Sequence, residues 1–98
     1  MFAIAFDMVV ADIRKHHPAG ISHAYSDIGK ALGEFEFERI QGSVYLTRNP
    51  DMGNLFAAIT ALRAIPWVPK CVRDVRGFKA ENWSNFTPNV KGDGRKRL

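Results

Sequence analysis

A lone cysteine, Cys71, is all the thiol chemistry the chain carries, so no intrachain disulfide can form, and a zinc site would draw most of its ligands from histidines and carboxylates. His16, His17 and His23 come without an HExxH or CxxC pattern, which leaves them as surface near the start of a helix. Long hydrophobic runs are missing as well. No apolar stretch approaches the roughly 20 residues of a membrane helix. The apolar start Met1 to Phe6 has no basic n-region and meets Asp7 at once, so a cytoplasmic protein without a membrane partner is expected. Charge of one sign is scarce over most of the chain. Of the net +4, residues 91–98 supply most, with Lys91, Arg95, Lys96 and Arg97 against Asp93. Residues 1–90 are close to neutral. Gly92 and Gly94 among those cations predict a basic flexible tail over 91–98, where any RNA contact would be non-specific and salt-sensitive.

What is present is ordinary globular material: 98 residues, 46% hydrophobic and 24% charged, enough for one domain, placed at 1–90, with one core. Phe2, Ile4, Phe6 and Met8 alternate with Ala3, Ala5, Asp7 and Val9, the period of a strand. After His17-Pro18-Ala19-Gly20, the residues Ile21, Tyr25, Ile28 and Leu32 recur at helical spacing, Ala24 and Ala31 widen the stripe, and Gly33 suits the C-cap. Phe35 and Phe37 alternating with Glu36 and Glu38 predict a second strand, and Gln41-Gly42 a tight turn. Ser43 to Arg48 then reads as a third strand, with Val44 and Leu46 on one face and Ser43, Tyr45 and Thr47 on the other. Asn49 as N-cap with Pro50 at the first helical position opens a second helix, carried by Met52, Leu55, Phe56, Ile59 and Leu62 until Pro66. Residues 71–79 suit a fourth strand, though their charges fall on both parities, and Gly77 is a candidate bulge. The order β-α-β-β-α-β predicts an α+β, ferredoxin-like fold: a four-stranded antiparallel sheet with two helices on one face and the other face open. Residues 80–90, with Trp83, Phe86 and Pro88, are too apolar for a linker and are expected at the sheet edge or a dimer interface.

If Phe2, Ile4 and Phe6 face the helices, Asp7 lies on the open face beyond the small Ala3 and Ala5. A strand-end aspartate of this kind is either solvated or bonded to a loop, or it is paired or metal-bound. A two-fold axis over this face would bring two Asp7 carboxylates together to share a proton or a divalent cation. Parity assigns Ser43 and Tyr45 to the same face, as solvated surface or as phosphate and base contacts. Arg73, Asp74 and Arg76 need partners: either Glu36 or Glu38 across the sheet, or Asp7, where an arginine would balance the charge of a phosphate. Trp67, between Pro66 and Pro69, suits core or edge packing. Arg76-Gly77-Phe78 matches the opening of an RNA-recognition octamer. It falls on the fourth strand and lacks the later aromatics, which excludes that motif.

Taken together, Phe6-Asp7, Gln41-Gly42-Ser43-Val44-Tyr45, Asn54-Leu55-Phe56, Ser84-Asn85-Phe86-Thr87 and Cys71 to Phe78 resemble the virulence-associated protein D (VapD) family from residue 2 to about residue 89. Cys71 and Gly77 stand where relatives often carry serine and alanine. The resemblance implies a ferredoxin-like homodimer, related in fold to a small CRISPR adaptation protein, acting as the endoribonuclease toxin of a bacterial toxin-antitoxin system with a protein antitoxin. It implies hydrolysis of RNA with Asp7 first among the catalytic residues and Ser43 and Asp74 next, and with Tyr45, Arg73 and Arg76 contacting RNA. Two chemistries are open. Paired Asp7 carboxylates would hold magnesium and activate water. Alternatively, Asp7 is a general base toward the ribose 2′-hydroxyl, with Arg73 or Arg76 balancing charge. A non-catalytic RNA-binding or assembly module and a small-molecule-sensing dimer are rival readings of the same fold.

Overall fold

The computed structural model describes residues 1–92. Its elements run β1 (Phe2–Met8), α1 (Val10–His16), α2 (Ile21–Gly33), β2 (Glu38–Gln41), β3 (Val44–Thr47), α3 (Met52–Ala64), α4 (Val68–Cys71), β4 (Val72–Lys79) and α5 (Thr87–Lys91). The sheet has the order β2-β3-β1-β4, and all three strand pairs are antiparallel. This is the expected ferredoxin-like topology, with α2 and α3 as its two long helices and α1, α4 and α5 as short additions. The core forms where Ile4, Phe6 and Met8 of β1 meet Ala24, Ile28 and Leu32 of α2 and Ala58 and Leu62 of α3.

The loop after β1 departs from expectation. The Val9 amide donates to the Cys71 carbonyl at 2.8 Å, which ends the strand, and the chain turns directly into α1. That helix buries only Ile13, so its sequence shows no apolar stripe by which to predict it. His17, read as surface, is buried. Its Nδ1 accepts from the Ala19 amide at 3.0 Å, which places the ring hydrogen on Nε2, where it donates to Asp27 Oδ2 at 2.8 Å. Trp67 packs against this ring edge-on, with centroids 4.8 Å apart, so the tryptophan is a packing residue as expected.

Two element boundaries also move. Gly33 ends α2 without adopting the left-handed conformation; Glu36 takes it instead, at φ 66°. The amides of Phe35 and Phe37 bond back to the Leu32 carbonyl, so residues 34–36 form a turn and β2 begins only at Glu38. Glu36 is held there by Asn49, whose Nδ2 donates to Glu36 Oε2 at 2.7 Å. The cap of α3 is Asp51, which accepts from the Gly53 amide at 2.8 Å, while Asn49 caps the preceding turn by accepting from the Asp51 amide. Met52 and Phe56, expected in the buried stripe of this helix, are 66% and 72% exposed. Inward positions go to Ala58 and Leu62, with Leu55 and Ile59 half-buried.

Past β4 the Ala80 amide donates to the Met1 carbonyl at 2.7 Å. The chain then brings Trp83 beside Glu38, Ile40, Leu46 and Thr47, leaving Phe86 and Val90 exposed. The basic tail expected at 91–98 lies outside the described residues, apart from Lys91, which ends α5, and its left-handed cap Gly92. Among the described residues no helix is long and apolar enough to cross a membrane.

Cys71 is fully buried, and burial first, then the nearby Asp12 carboxylate, push its thiol upward against the opposing Lys70. Burial also raises the Tyr45 phenol, with Arg39 acting the other way. The folded state therefore holds both protons more tightly than the unfolded chain does. Their contribution is fully present below the ordinary thiol value of about 8.5 and is lost as pH rises through the raised folded values. Urea midpoints should be flat at neutral pH and fall in the alkaline range, and Cys71→Ala should flatten the early part of that fall. A profile rising with alkalinity would contradict the assignment.

Candidate active site

The charged residues singled out in the sequence converge at one end of the uncovered sheet face. Asp7 pairs with Asp74 across β1 and β4, Ala5 with Arg76 and Ala3 with Phe78. These six side chains therefore share the face opposite the core. Like charges directly opposite each other repel. Two arginines offset the repulsion: Arg73 Nη1 donates to Asp7 Oδ2 at 3.2 Å, and Arg76 Nε donates to both oxygens of Asp74, at 3.0 and 2.9 Å. The acid partners are thus Asp7 and Asp74, and the pairing with Glu36 or Glu38 considered from the sequence does not form.

A register shift makes the cluster possible. Phe6 pairs with Val75 and Asp7 with Asp74, but Met8 pairs with Val72, so Arg73 is an extra residue in β4. The bulge sits at Arg73, not at Gly77. Val72 and Val75 both turn toward the helices while Arg73 and Asp74 both stay outside. The sequence signal was the spacing of three between the two valines, which a strict period of two cannot accommodate.

The hairpin residues are placed differently from the parity reading. Tyr45 pairs with Ile4, and Val44 and Leu46 pair with Ala5 and Ala3. Tyr45 therefore faces the helices, with its ring 6.0 Å from Phe6 at an interplanar angle of 22°, and Val44 and Leu46 line the open face. The larger aromatic surface takes the buried side, and its hydroxyl reaches the rim. Ser43 lies in the turn, where its carbonyl accepts from the Phe6 amide at 3.1 Å, so it aligns with Phe6 and not with Asp7. Neither Ser43 nor Tyr45 joins the Asp7 cluster.

Among the described residues no three histidine, cysteine or acidic side chains gather as a metal site. Asp7 and Asp74 are two carboxylates in register. That donor set fits magnesium, which commonly keeps several waters and uses one or two carboxylates.

No family model matches the chain. Over 91 residues it is 58% identical to the endoribonuclease VapD homolog of Neisseria gonorrhoeae, covering 93% of this chain and 99% of that protein. It is 48% identical to endoribonuclease VapD of Haemophilus influenzae, with the same coverage. For endoribonuclease VapD of Dichelobacter nodosus the identity is 46% over 92 residues, 94% of this chain and 99% of the relative. The chain belongs to the VapD family.

The Asp7 and Arg73 side chains are 57% and 64% exposed, and exposed pairs of this kind contribute about 0.2–1 kcal/mol to stability. Folding does not require them. Asp7→Asn and Arg73→Gln should each shift the unfolding free energy by less than about 1 kcal/mol in urea titration. A larger loss would make the cluster part of the scaffold.

Proposed function

We propose that this chain is an endoribonuclease and that Asp7 is its central catalytic residue. The observation that carries the reading is an exposed carboxylate at the end of β1, touched by one arginine and in register with a second acid–arginine pair, in a chain whose relatives are named endoribonucleases. The cluster stabilises the fold little and presents paired charges on an uncovered face, which is what a reaction centre for a phosphodiester needs.

In the mechanism that uses these groups directly, the Asp7 carboxylate accepts the proton of a ribose 2′-hydroxyl. The freed oxygen attacks the adjacent phosphorus, and the bond to the 5′ oxygen breaks. The departing oxygen takes a proton from water, leaving a cyclic phosphate. Arg73, already at the carboxylate, balances the charge that grows on the phosphate oxygens. Asp74 positions Arg76 through its two-oxygen contact, so that a second guanidinium borders the same place. Ser43, in the hairpin turn, holds the end of β1 through its carbonyl, which accepts from the Phe6 amide. Were magnesium bound, Asp7 and Asp74 would hold it, and the chemistry it supplies is activation of a water molecule.

Gel analysis of a structured RNA tests residue and route together. Wild type should cleave, and Asp7→Asn should lose about 10²–10⁴-fold in rate. Cleavage that survives chelator but stops with a 2′-deoxy sugar at the cut site identifies the general-base route; the converse pattern identifies the metal route. An Asp7→Asn protein that binds RNA normally, beside a wild type that never cuts, would leave a non-catalytic RNA-binding module.

We further propose that the protein is a cytoplasmic homodimer and the toxin of a toxin-antitoxin pair restrained by a protein antitoxin, as the family resemblance implies. Partly exposed Ala5 and Val44 and half-exposed Phe78, beside buried Ala3 and Leu46, on the face that carries Asp7 support association through that face. Light scattering at micromolar concentration should give twice the chain mass of 11.0 kDa, and a monomer would exclude any mechanism that shares the two Asp7 carboxylates.

A further inference from the structure

The face of the sheet that carries the helices has a polar groove of its own, between α2 and the β2–β3 hairpin. Ser22, Tyr25, Ser26 and Gly29 line it from the helix, and Arg39 and Tyr45 from the strands. The helical members recur at spacings of three and four, so they form one stripe along α2. Arg39 is the register partner of Tyr45 and donates Nε to the Gly42 carbonyl at 2.8 Å. That bond ties the guanidinium to the hairpin turn, and its terminal nitrogens have no acceptor among the described residues. The other polar side chains of the groove are hydroxyls, and no carboxylate borders it. Gly29 preserves its depth, because a Cβ there would lie 3.2 Å from Tyr45 Oη.

A guanidinium with free donors, surrounded by rotatable hydroxyls and without a competing acid, matches a phosphate group. The groove is also coupled to the cluster around Asp7. Phe6 stacks on Tyr45 at 6.0 Å and on Tyr25 at 6.3 Å, and Asp7 follows it on the opposite face. The Gly42–Ser43 turn rounds the end of the sheet between the two sites. We propose that this groove binds a phosphate of the RNA strand at a position away from the bond being cut, and that Arg39, Ser22 and Ser26 are its ligands. This rests on RNA being the substrate, and it gives Tyr45 an RNA-facing hydroxyl on the face opposite to the one parity suggested.

The test measures binding in the Asp7→Asn background, where cleavage does not intervene, using a short single-stranded RNA and, separately, inorganic pyrophosphate. Arg39→Gln should weaken RNA binding roughly tenfold and reduce the slope of log affinity against log salt by about 0.7, the loss of one single-strand phosphate contact. Ser22→Ala combined with Ser26→Ala should also weaken it. Both serines are exposed on a helix and alanine favours helix, so that loss would not come from unfolding. Unchanged affinity and slope in both variants would overturn the proposal. Pyrophosphate binding that depends on Arg39, without any effect on RNA, would also overturn it and assign the groove to a free phosphate compound. Neither result depends on whether wild type cuts RNA, which the Asp7 comparison decides separately.

Discussion

Between the Asp7–Asp74 and Met8–Val72 pairs the β1–β4 ladder absorbs one extra residue, Arg73, and the chemistry of the open face depends on that accommodation. In a regular ladder starting from Met8–Val72, Asp74 would fall opposite Phe6 and Val75 opposite Ala5, so the charge would take the helix side and the valine the open face. Asp74 would then lie on the face opposite to Asp7, in the place of Val75, which is 36% exposed at this edge of the sheet. The bulge reverses that placement. It sends Val72 and Val75 to the helix side and leaves Arg73 and Asp74 outside, within reach of Asp7 and Arg76. The same step places two like charges in register, and the two guanidinium contacts are what make that arrangement tolerable.

The core sets the limits within which this can happen. Ile4, Phe6 and Met8 are held by α2 and α3, so the facing of β1 is not negotiable, and whatever pairs with Asp7 must lie on the open side. Phe6 carries this one layer further. Stacked between Tyr25 and Tyr45, it fixes the rings whose hydroxyls border the groove beneath the hairpin, while the next residue is the exposed carboxylate. Two polar sites therefore sit at one end of the sheet, on opposite faces, joined through a rigid aromatic layer.

Much of the architecture was legible because it rests on strong periodic signals. β1 and α2 have clean apolar patterns, and Pro66 closes α3 for a covalent reason. Asp7 could be placed on the open face by parity alone. The misplacements have a common origin in segments where pattern and packing compete. In the hairpin, alternation shows that Tyr45 opposes Val44 and Leu46 but does not say which set is inside. In α3, Phe56 matches the stripe in spacing, yet the buried face of the helix is the one that carries Ala58 and Leu62. His17 appears polar in sequence and is buried because Asp27, on another helix, and Trp67, from the segment after α3, complete its surroundings.

By itself the sequence determined the order of the four strands and two long helices, the fold they allow, the absence of an intrachain disulfide and the candidacy of Asp7, since each follows from local stereochemistry or from a period read along one stretch of chain. It also carried the family likeness. Only the tertiary structure decided the register of β4, the facing of β3 and the ion pairs Asp7–Arg73 and Asp74–Arg76. Those depend on contacts between residues far apart in the chain, up to 66 positions for Arg73 and Asp7, where the sequence specifies the partners' chemistry but packing and strand register choose which partners meet.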